Sequence, residues 1–429
     1  MTPTVDPDGE GDARARDAAD PATAYRDRFL LPDGPDGPAG PPAIYLAGQS
    51  LGLQAKTVRP AIEAELDAWA HRGVEGHFDP GRPWFTTDEA FRAPMARLVG
   101  ARPTEVAVLN TLTVNLHLML ASFFRPDGTR RRILTDAPIF PSDRHVYRSH
   151  LAWRGLDPDA DLVAIGPRTG EDTVRIEDLE AAIAEHGPSL ALVVLDGVNF
   201  ATGQALPVAR LTEAGHRAGA AVGWDLAHAA GNVPLSLHDD GVDFAVWCTY
   251  KYLNGGPGSV GSIFVHERHT APGAPEIPRL TGWWGATPDH RFDTDGPFVA
   301  DTGAAAWKMS TSPLFNMLAL EASLAIFDEV GLPALRERST RLTGYLAGLL
   351  EARGVEILTP SDPEARGAQL SLRFVDAPAV LDGLSRQGVI ADFREPDIIR
   401  VAPIPLYTTF LDAWRFAAIL GGILDGSPA

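Results

Sequence analysis

The chain has 429 residues, 45% of them hydrophobic and 22% charged, which is typical of a soluble globular protein with more than one domain. Its 37 basic and 56 acidic residues give a net charge of −19, which argues against nucleic acid or an anionic membrane as a partner. One cysteine, Cys248, excludes an intrachain disulfide framework, and we see neither a signal peptide nor an apolar run of ~20 residues. We therefore expect a cytoplasmic protein.

The first sixty residues form two segments of different composition. Residues 1–25 are rich in Asp, Ala, Arg, Pro and Gly, so we expect a disordered tail. Residues 26–60 contain the turn-rich PDGPDGPAGPP, a short strand AIYL and the loop AGQSLG, and we expect them to pack with the small domain. The run VRPAIEAELDAWAHRG then places Ile62, Leu66 and Trp69 at helical spacing.

From about residue 104 to 265, apolar runs alternate with helical patterns. The predicted strands are EVAVLN, RRILTD, DLVAIG, LALVVLD, AAVGWD and DFAVWCTY. Runs of Val, Leu and Ala without alternation are typical of parallel strands that are covered on both faces. The pattern predicts an α/β fold whose large domain, residues 61–310, holds a mainly parallel, doubly wound sheet.

The pattern changes after the Pro-rich HTAPGAPEIPR. SPLFNMLALEASLAIFDEVG has the periodicity of a long helix, and LTGYLAGLLEARG, QLSLRFV, VLDGLSRQG and IIRVAPI then alternate helix with strand. We expect a small C-terminal α+β domain over residues 311–429.

The segment from Trp224 to Gly256 carries the chemistry of the large domain. Asp225 ends one apolar strand, His228 follows three residues later, and Lys251 follows a second strand. Ligands of doubly wound sheets bind at the carboxyl ends of the strands. A lysine amine forms a Schiff base with an aldehyde, and a buried carboxylate keeps a pyridine nitrogen protonated. We therefore predict a pyridoxal phosphate site at this edge of the sheet.

These residues also have plainer interpretations. Lys251 could be an exposed lysine after a strand, but the flanking Tyr250 and Tyr252 favour the neutral amine that Schiff-base chemistry needs. Asp225 could cap a following helix instead of pairing with a cofactor. The 12 histidines show no H-E-x-x-H or comparable spacing, so we expect no metal site.

A phosphate group needs backbone or hydroxyl donors, and the sequence offers several. Thr111 or Thr113 could cap the apolar helix NLHLMLASFF and present its first N–H groups to a dianion. Further candidate donors are Tyr250, Trp283 and Thr311. In the segment FPSD, Phe140 could stack on the cofactor ring or pack as an ordinary core residue.

Arg400 lies in the apolar run IIRVAPIPLY, where a buried arginine needs an anionic partner. Its planar fork suits the α-carboxylate of an amino acid. An internal salt bridge is the alternative, and the sequence leaves both open.

Taken in this order, the motifs resemble those of the kynureninase family, pyridoxal phosphate enzymes of the aspartate aminotransferase fold (fold type I). The similarity runs nearly end to end through IYLAGQSLGLQ, GHFDPGRPW, LTVNLHLML, FPSD, LDGVNFATGQ, WDLAHAAGNV, TYKYLN, GWWG and IRVAPIPLY. The pattern D-x-x-H is shared with cysteine desulfurases, whereas FPSD, TYKYLN and RVAPIPLY together are far more specific.

The resemblance implies a role for individual residues. Lys251 would carry the cofactor as a Schiff base, Asp225 would pair with its ring nitrogen, and Tyr250 would relay a proton. Cofactor contacts are implied at Leu112, Thr113, Phe140, Pro141, Ser142, Asp143, Asp196, Asp225, His228, Tyr250, Lys251, Trp283 and Thr311. Substrate contacts are implied at Arg400, His77, Ser50 and Gln49. Trp283 and Thr311 would reach across from a neighbouring subunit, which implies a homodimer with shared active sites.

The reaction that the resemblance implies is hydrolysis of L-kynurenine, or its 3-hydroxy form, to anthranilate or 3-hydroxyanthranilate plus L-alanine. The chain departs from the family pattern at Gln49, where Asn is usual. His77 matches the animal-type pattern associated with the 3-hydroxy substrate, whereas Thr311 matches the bacterial pattern associated with kynurenine. The preferred ring therefore stays open.

Other functions fit part of the pattern. A transaminase, or a hydrolase acting on a modified kynurenine, would use the same Lys251 and Asp225. A non-catalytic scaffold of this fold would have no reason to keep those residues together with Tyr250 and Arg400. A cysteine desulfurase needs a nucleophilic cysteine on a loop well after the lysine, whereas Cys248 precedes Lys251 within a strand.

Overall fold

The structure, a computed structural model, describes residues 9–426. The elements ahead of the main sheet are helices α1 (Glu10–Ala19), α2 (Val58–Arg72) and α3 (Arg92–Val99) and strands β1 (Asp33–Gly34), β2 (Gly37–Pro42) and β3 (Ile44–Tyr45). None of the helices in the described range is long and apolar enough to cross a membrane.

The next elements build a seven-stranded sheet with helices on both faces. They are β4 (Val106–Leu109), α4 (Leu112–Phe123), β5 (Arg132–Asp136), α5 (Pro141–Trp153), α6 (Pro158–Asp161), β6 (Leu162–Ile165), α7 (Ile176–His186), β7 (Leu190–Asp196), α8 (Val208–Arg217), β8 (Ala221–Asp225), β9 (Phe244–Cys248) and β10 (Gly261–Val265). The strand order is β4-β10-β9-β8-β7-β5-β6, and β10 runs antiparallel to both of its neighbours. The remaining pairs are parallel, so the predicted α/β sheet is confirmed.

The apolar strands are buried because each face of the sheet has its own core. Val106 and Val108 point to the side that α3, α7 and α8 cover, whereas Ala107 and Leu109 point to the side of α4 and α5. All six predicted strands are present as β4 to β9. The prediction missed β10, because its residues follow a Gly- and Pro-rich stretch, NGGPGSV, that has the composition of a loop.

The C-terminal part of the chain forms a smaller α+β unit. Its elements are α9 (Leu314–Val330), α10 (Leu332–Glu351), β11 (Glu356–Ile357), β12 (Leu370–Arg373), α11 (Ala377–Arg386), β13 (Val389–Ile390), β14 (Asp392–Arg394), β15 (Ile398–Val401) and α12 (Phe410–Leu424). The strands β11-β12-β15-β14 form an antiparallel sheet, in which the two predicted strands, β12 and β15, lie at the centre. Helices α10, α11 and α12 pack with this sheet around a second core.

Helix α9 belongs to the core of the large domain. Met317, Leu320 and Phe327 are buried in the same cluster as Met95 and Val99 of α3. The predicted small domain began at residue 311, but the packing of the large domain continues through α9. The apolar periodicity identified the helix correctly and contained no signal for the side on which it packs.

The N-terminal segment connects the two sheets. Strand β3 pairs in parallel with β13, and Ala47 forms a bridge with Ala402. The loop that follows β3 carries Gln49 and Ser50, and its backbone continues to Gly52, whose N–H donates to the carbonyl of Tyr250 (2.7 Å). This path brings the loop between the two domains.

The predicted disorder of residues 1–25 is wrong for the part that the structure describes, while residues 1–8 lie outside it. Residues 10–19 form α1, which packs on α12 through the buried Ala13. Both carboxylate oxygens of Asp17 accept free N–H groups at the start of α12, from Phe410 (2.8 Å) and Leu411 (3.0 Å). Apart from Ala13, this contact depends on a charge at a helix N-terminus and not on apolar residues, so composition could not reveal it.

Asp20 extends this attachment through an ion pair with Arg338 on α10. The Nε–Oδ2 distance is 2.6 Å, and both side chains are 2% exposed. We predict that Asp20→Ala lowers the free energy of unfolding by about 3–5 kcal/mol, because Arg338 is left as a buried, unpaired charge. Asp382→Ala breaks the exposed pair with Arg386 on α11 and should cost less than about 1 kcal/mol. Urea unfolding of both variants tests this, and equal midpoints would contradict it.

Candidate active site

A cavity opens at the carboxyl edge of the large sheet. Its walls are formed by Leu112, Thr113, Phe140, Ser142, Asp143, Asp196, Val198, Phe200, Asp225, Ala227, His228, Tyr250 and Lys251. Ten of these thirteen residues are candidates from the sequence.

Lys251 reaches into this cavity from the loop after β9 and is 9% exposed. Its Nζ lies 2.9 Å from Nε2 of His228, and the ring centroids of Phe140 and Tyr250 are 5.7 and 5.9 Å away. Burial, together with the charge of Lys251, holds the pKa of His228 well below 6.5, so the imidazole is neutral. A neutral ring nitrogen can accept a hydrogen bond from the amine and orient it.

The two carboxylate oxygens of Asp225, the last residue of β8, differ in their hydrogen bonding. Oδ1 accepts the N–H of Ala227 (2.7 Å), which is the local capping contact that the sequence offered as an alternative. A turn follows it in place of a helix. Oδ2 is buried and has no hydrogen-bond partner in the described part of the chain. A buried oxygen without a donor is costly, so this atom suits a ligand that brings an N–H group.

Four carboxyl groups share this edge of the sheet, and all but the partly buried Asp196 are buried. Asp136 and Asp196 end the neighbouring strands β5 and β7, Asp196 lies directly beside Asp225 in the strand register, and Asp143 lies in the first turn of α5. Burial raises the pKa of Asp136 to about 6 and, with the charge of Asp136, raises that of Asp196 well above 3.8. Burial likewise raises the pKa of Asp225 and, with the charge of Asp225, that of Asp143. A group of carboxyl side chains at one edge of the sheet favours a cationic ligand.

Two helices begin at the opposite wall of the cavity. Leu112 and Thr113 open α4, and Pro141, Ser142 and Asp143 open α5. Neither helix has a side-chain hydrogen bond at its N-cap, so the predicted capping by Thr111 or Thr113 does not occur. The hydroxyls of Thr113 and Ser142 lie 2.7 Å apart between the two helices. Free N–H groups and hydroxyls at helix N-termini are suited to a phosphate group.

Arg400 lies on β15 and is 1% exposed. Nη2 pairs with Asp392 (2.5 Å) and contacts Ser50 Oγ (3.2 Å), and Nη1 donates to the carbonyl of Phe200 (2.7 Å), a residue of the cavity wall. The internal salt bridge that the sequence left open is therefore present. Nε, however, is buried and unpartnered within residues 9–426, so the fork keeps a free donor. The backbone carbonyl of Arg400 lies 3.5 Å from Nε2 of the buried Gln49.

Three candidate residues lie away from the cavity. Trp283 is 43% exposed, Thr311 is exposed, and His77 is partly exposed in the short 3-10 helix Gly73–Phe78. None of the three contributes to the cavity wall within one chain.

A separate group of possible metal ligands occupies the opposite edge of the sheet. Glu105, His238 and His266 have ligand atoms within 4.8 Å of one another. Glu105 accepts backbone N–H groups from Arg102 and Glu267 (both 2.8 Å) and contacts His238, while Nδ1 of His266 accepts from Arg268 (3.1 Å). These bonds already use the atoms that a metal would need.

Comparison with known proteins identifies the family. Residues 335–420 match the model of the kynureninase C-terminal domain. The kynureninase of Myxococcus xanthus (strain DK1622) is 50% identical over 425 residues, which cover 98% of this chain and 99% of the relative. The kynureninase of Salinispora tropica (strain CNB-440) is 49% identical over 422 residues, covering 96% and 97%. The chain belongs to the kynureninase family.

Solved structures support the fold. An apo cysteine desulfurase from Thermococcus onnurineus NA1 aligns with a TM-score of 0.72 at 17% identity, over 90% of this chain and 95% of that one. A variant of the protein C-DES, with glycine covalently linked to its pyridoxal phosphate cofactor, aligns with a TM-score of 0.73 at 19% identity, over 88% and 96%. At this identity the likeness establishes the fold type of the kynureninase family and nothing finer.

Sequence reasoning missed several residues of the site. Asp136 ends a predicted strand at the same edge as Asp225, so the rule that located Asp225 could also have located Asp136. Asp392 could not be singled out, because Glu395 and Asp397 are closer to Arg400 in sequence. Val198, Phe200 and Ala227 are apolar wall residues without a motif of their own.

The raised pKa of Asp136 predicts a pH effect on the cofactor-free protein. The folded state binds this proton more tightly than the unfolded chain, whose carboxyl pKa is near 3.8, so stability falls as the pH rises from about 4 to about 6 and then levels off. Asp136→Asn removes this loss and should gain about 2–3 kcal/mol on the parent protein between those pH values. Urea unfolding at pH 4.5 and pH 7 provides the comparison, with the exposed Asp382→Asn as control. A constant difference between Asp136→Asn and the parent would exclude the effect.

Proposed function

We propose that this member of the kynureninase family hydrolyses L-kynurenine, or its 3-hydroxy form, to anthranilate or 3-hydroxyanthranilate plus L-alanine. The observation that carries the proposal is the placement of Lys251 and the unpartnered Oδ2 of Asp225 in one cavity. The substrate class is supported by two kynureninases that are 50% and 49% identical to this chain over nearly its full length.

The residues present fit pyridoxal phosphate. Asp225 Oδ2 offers an acceptor for a pyridinium N–H, and the starts of α4 and α5 offer donors for the phosphate. Phe140 lies beside Lys251 and provides an aromatic face. Held at Lys251, the cofactor would supply an electron sink for negative charge at the substrate Cα.

The chain's own residues then move protons and orient the substrate. The amine of Lys251 would remove the Cα proton of the substrate, and neutral His228 orients this amine through the 2.9 Å contact. Burial raises the pKa of Tyr250, so its hydroxyl is protonated at neutral pH and can deliver a proton to Cβ of the departing alanine. Arg400 holds the α-carboxylate, and Ser50 and Gln49 fix its position.

The functional unit that we propose is a homodimer with shared active sites. Trp283, Phe292 and Phe78 are 43%, 66% and 64% exposed, and ring contacts of 5.1 to 5.9 Å connect them through Phe85 into one surface. An exposed aromatic surface of this kind marks an interaction site. A second copy that covers it would bring Trp283, Thr311 and His77 to the cavity of its partner.

The assay that tests this function mixes the protein, pyridoxal phosphate and either L-kynurenine or 3-hydroxy-L-kynurenine, and measures aryl product and alanine. We expect equimolar products, and the ratio of the two kcat/KM values gives the ring preference. Transfer of the substrate's α-amine to an added 2-oxo acid, without release of an aryl product, would indicate a transaminase. If the protein binds the cofactor but cleaves neither compound, the fold and cofactor assignments stand. The substrate would then be a modified kynurenine.

Lys251→Ala is expected to abolish turnover, a loss of more than about 10³-fold, together with the visible absorbance of the lysine-bound cofactor. Lys56→Ala is the control, because it removes an exposed lysine outside the cavity. It should retain the absorbance band. Turnover by the Lys251 variant at the parent rate would overturn the assignment.

Arg400→Lys keeps a positive charge beside Asp392 but loses the planar fork. We expect KM to rise about 10-fold or more, with a smaller change in kcat, because the fork binds substrate before and during the reaction alike. Arg373→Lys, on the adjacent strand β12, should leave KM unchanged. Steady-state kinetics on both variants decides this, and an unaltered KM in Arg400→Lys would remove the carboxylate role.

A further inference from the structure

The three candidate residues outside the cavity rest on one short stretch of chain. This stretch is the 3-10 helix Trp84–Phe91, here called the support segment. It lies between α2 and α3, and contributes no residue to the wall of the Lys251 cavity. It contacts His77 directly, and it reaches Trp283 and Thr311 through their neighbours in the chain.

The ring of His77 packs against the first two residues of the support segment. Its ring centroid lies 5.3 Å from that of Trp84 and 5.1 Å from that of Phe85. The preceding Gly76 packs so closely on the Trp84 ring that a Cβ there would collide with it. The indole N–H of Trp84 is fixed in turn by Glu65 (3.0 Å).

Trp283 is held through its neighbour Trp284, which is fully buried. Trp284 stacks on Phe85 with centroids 5.1 Å apart and planes 5° from parallel, and the Trp283 ring lies 4.8 Å from it. The support segment therefore fixes the backbone from which Trp283 projects.

Thr311 lies between two residues that both bind Asp88 of the support segment. Asp88 Oδ2 pairs with Lys308 Nζ (2.9 Å), and Asp88 Oδ1 accepts the hydroxyl of Ser312 (3.0 Å). Asp88 and Lys308 are 1% and 2% exposed. The carboxylate thus fastens the chain on both sides of Thr311, and the Thr311 side chain itself stays exposed.

The Trp283 and Thr311 segments also lie against each other. A Cβ on Gly282 would collide with the backbone of Met309, and one on Gly285 would come within 2.7 Å of the carbonyl of Lys308. Glycine is required at both positions because backbone meets backbone. A shift of the segment that Asp88 holds would therefore move Trp283 as well.

We infer that Asp88 is a positioning residue that holds Trp283 and Thr311 of one subunit in place for the cofactor and substrate of the other subunit. The inference rests on the proposed shared active site. A buried ion pair is costly to form from solvated charges and contributes little net stability, but it fixes geometry once it is formed. A displacement of about 1 Å at a binding group is enough to weaken a site substantially.

The test uses Asp88→Asn in the complete dimeric enzyme, because the amide keeps the size of the side chain and removes the charge that pairs with Lys308. Asp161→Asn is the matched control, since Asp161 is 1% exposed and pairs with Arg131 (3.0 Å) at the end of α6. Lys308→Met combined with Asp88→Asn removes the unpaired charge that Asp88→Asn leaves, and separates loss of folding from loss of position. This double variant should fold as stably as the parent and still show weakened cofactor binding.

Hybrid dimers, purified with two different tags, then locate the effect. In the first hybrid, one subunit carries Lys251→Ala and Asp88→Asn, and its partner is unaltered. In the second, Lys251→Ala and Asp88→Asn are on opposite subunits. Each hybrid has one cavity with an intact Lys251. Only in the first hybrid does the subunit across the interface from that cavity carry the altered support segment.

In the first hybrid we expect the cavity with the intact Lys251 to need about 10-fold more pyridoxal phosphate and substrate for half-maximal activity. The second hybrid should behave like a hybrid dimer in which Lys251→Ala in one subunit is the single change. Equal effects in both hybrids, an effect confined to the second, or a monomeric enzyme would overturn the inference. Absorbance of the lysine-bound cofactor gives the same comparison without turnover, so a failure to cleave kynurenine would be distinguished from a failure of the positioning role.

Discussion

The burial of several carboxyl groups around one lysine amine is the constraint on which the rest of this site depends. Parallel strands end at the same edge of a sheet, so Asp136, Asp196 and Asp225 meet there as the last residues of β5, β7 and β8. Burial disfavours their charged forms, and Lys251 is the basic residue in the cavity wall. A cationic pyridine ring would complete the balance of charge, which explains why such a costly arrangement is retained.

The substrate subsite is tied to the cofactor subsite through the chain itself. The loop after β3 binds Arg400 through Ser50 and reaches Tyr250 through the backbone N–H of Gly52. A side chain at Gly52 would collide with the carbonyl of Lys251 and with Asn254, so glycine is needed for this close approach. Any movement of the small domain relative to the sheet is therefore transmitted to both subsites together.

Much of the fold and of the site could be predicted because its signals are local. Unbroken apolar runs identified β4 to β9, and strand ends followed by polar residues identified Asp225 and Lys251. Contacts that depend on tertiary packing could not be predicted in this way. Helix α1 is polar and is held by Asp17 at the start of α12, and the partner of Arg400 is one of three nearby acids. The path of α9 into the large core likewise depends on which face finds a partner.

The measurement that tests the central claim most directly is borohydride reduction of the enzyme saturated with pyridoxal phosphate, followed by peptide mapping. Reduction makes the Schiff base permanent, so the labelled residue can be read from the peptide mass. We predict one equivalent of label per chain on the peptide that contains Lys251. Label on another lysine, or no label, would contradict it.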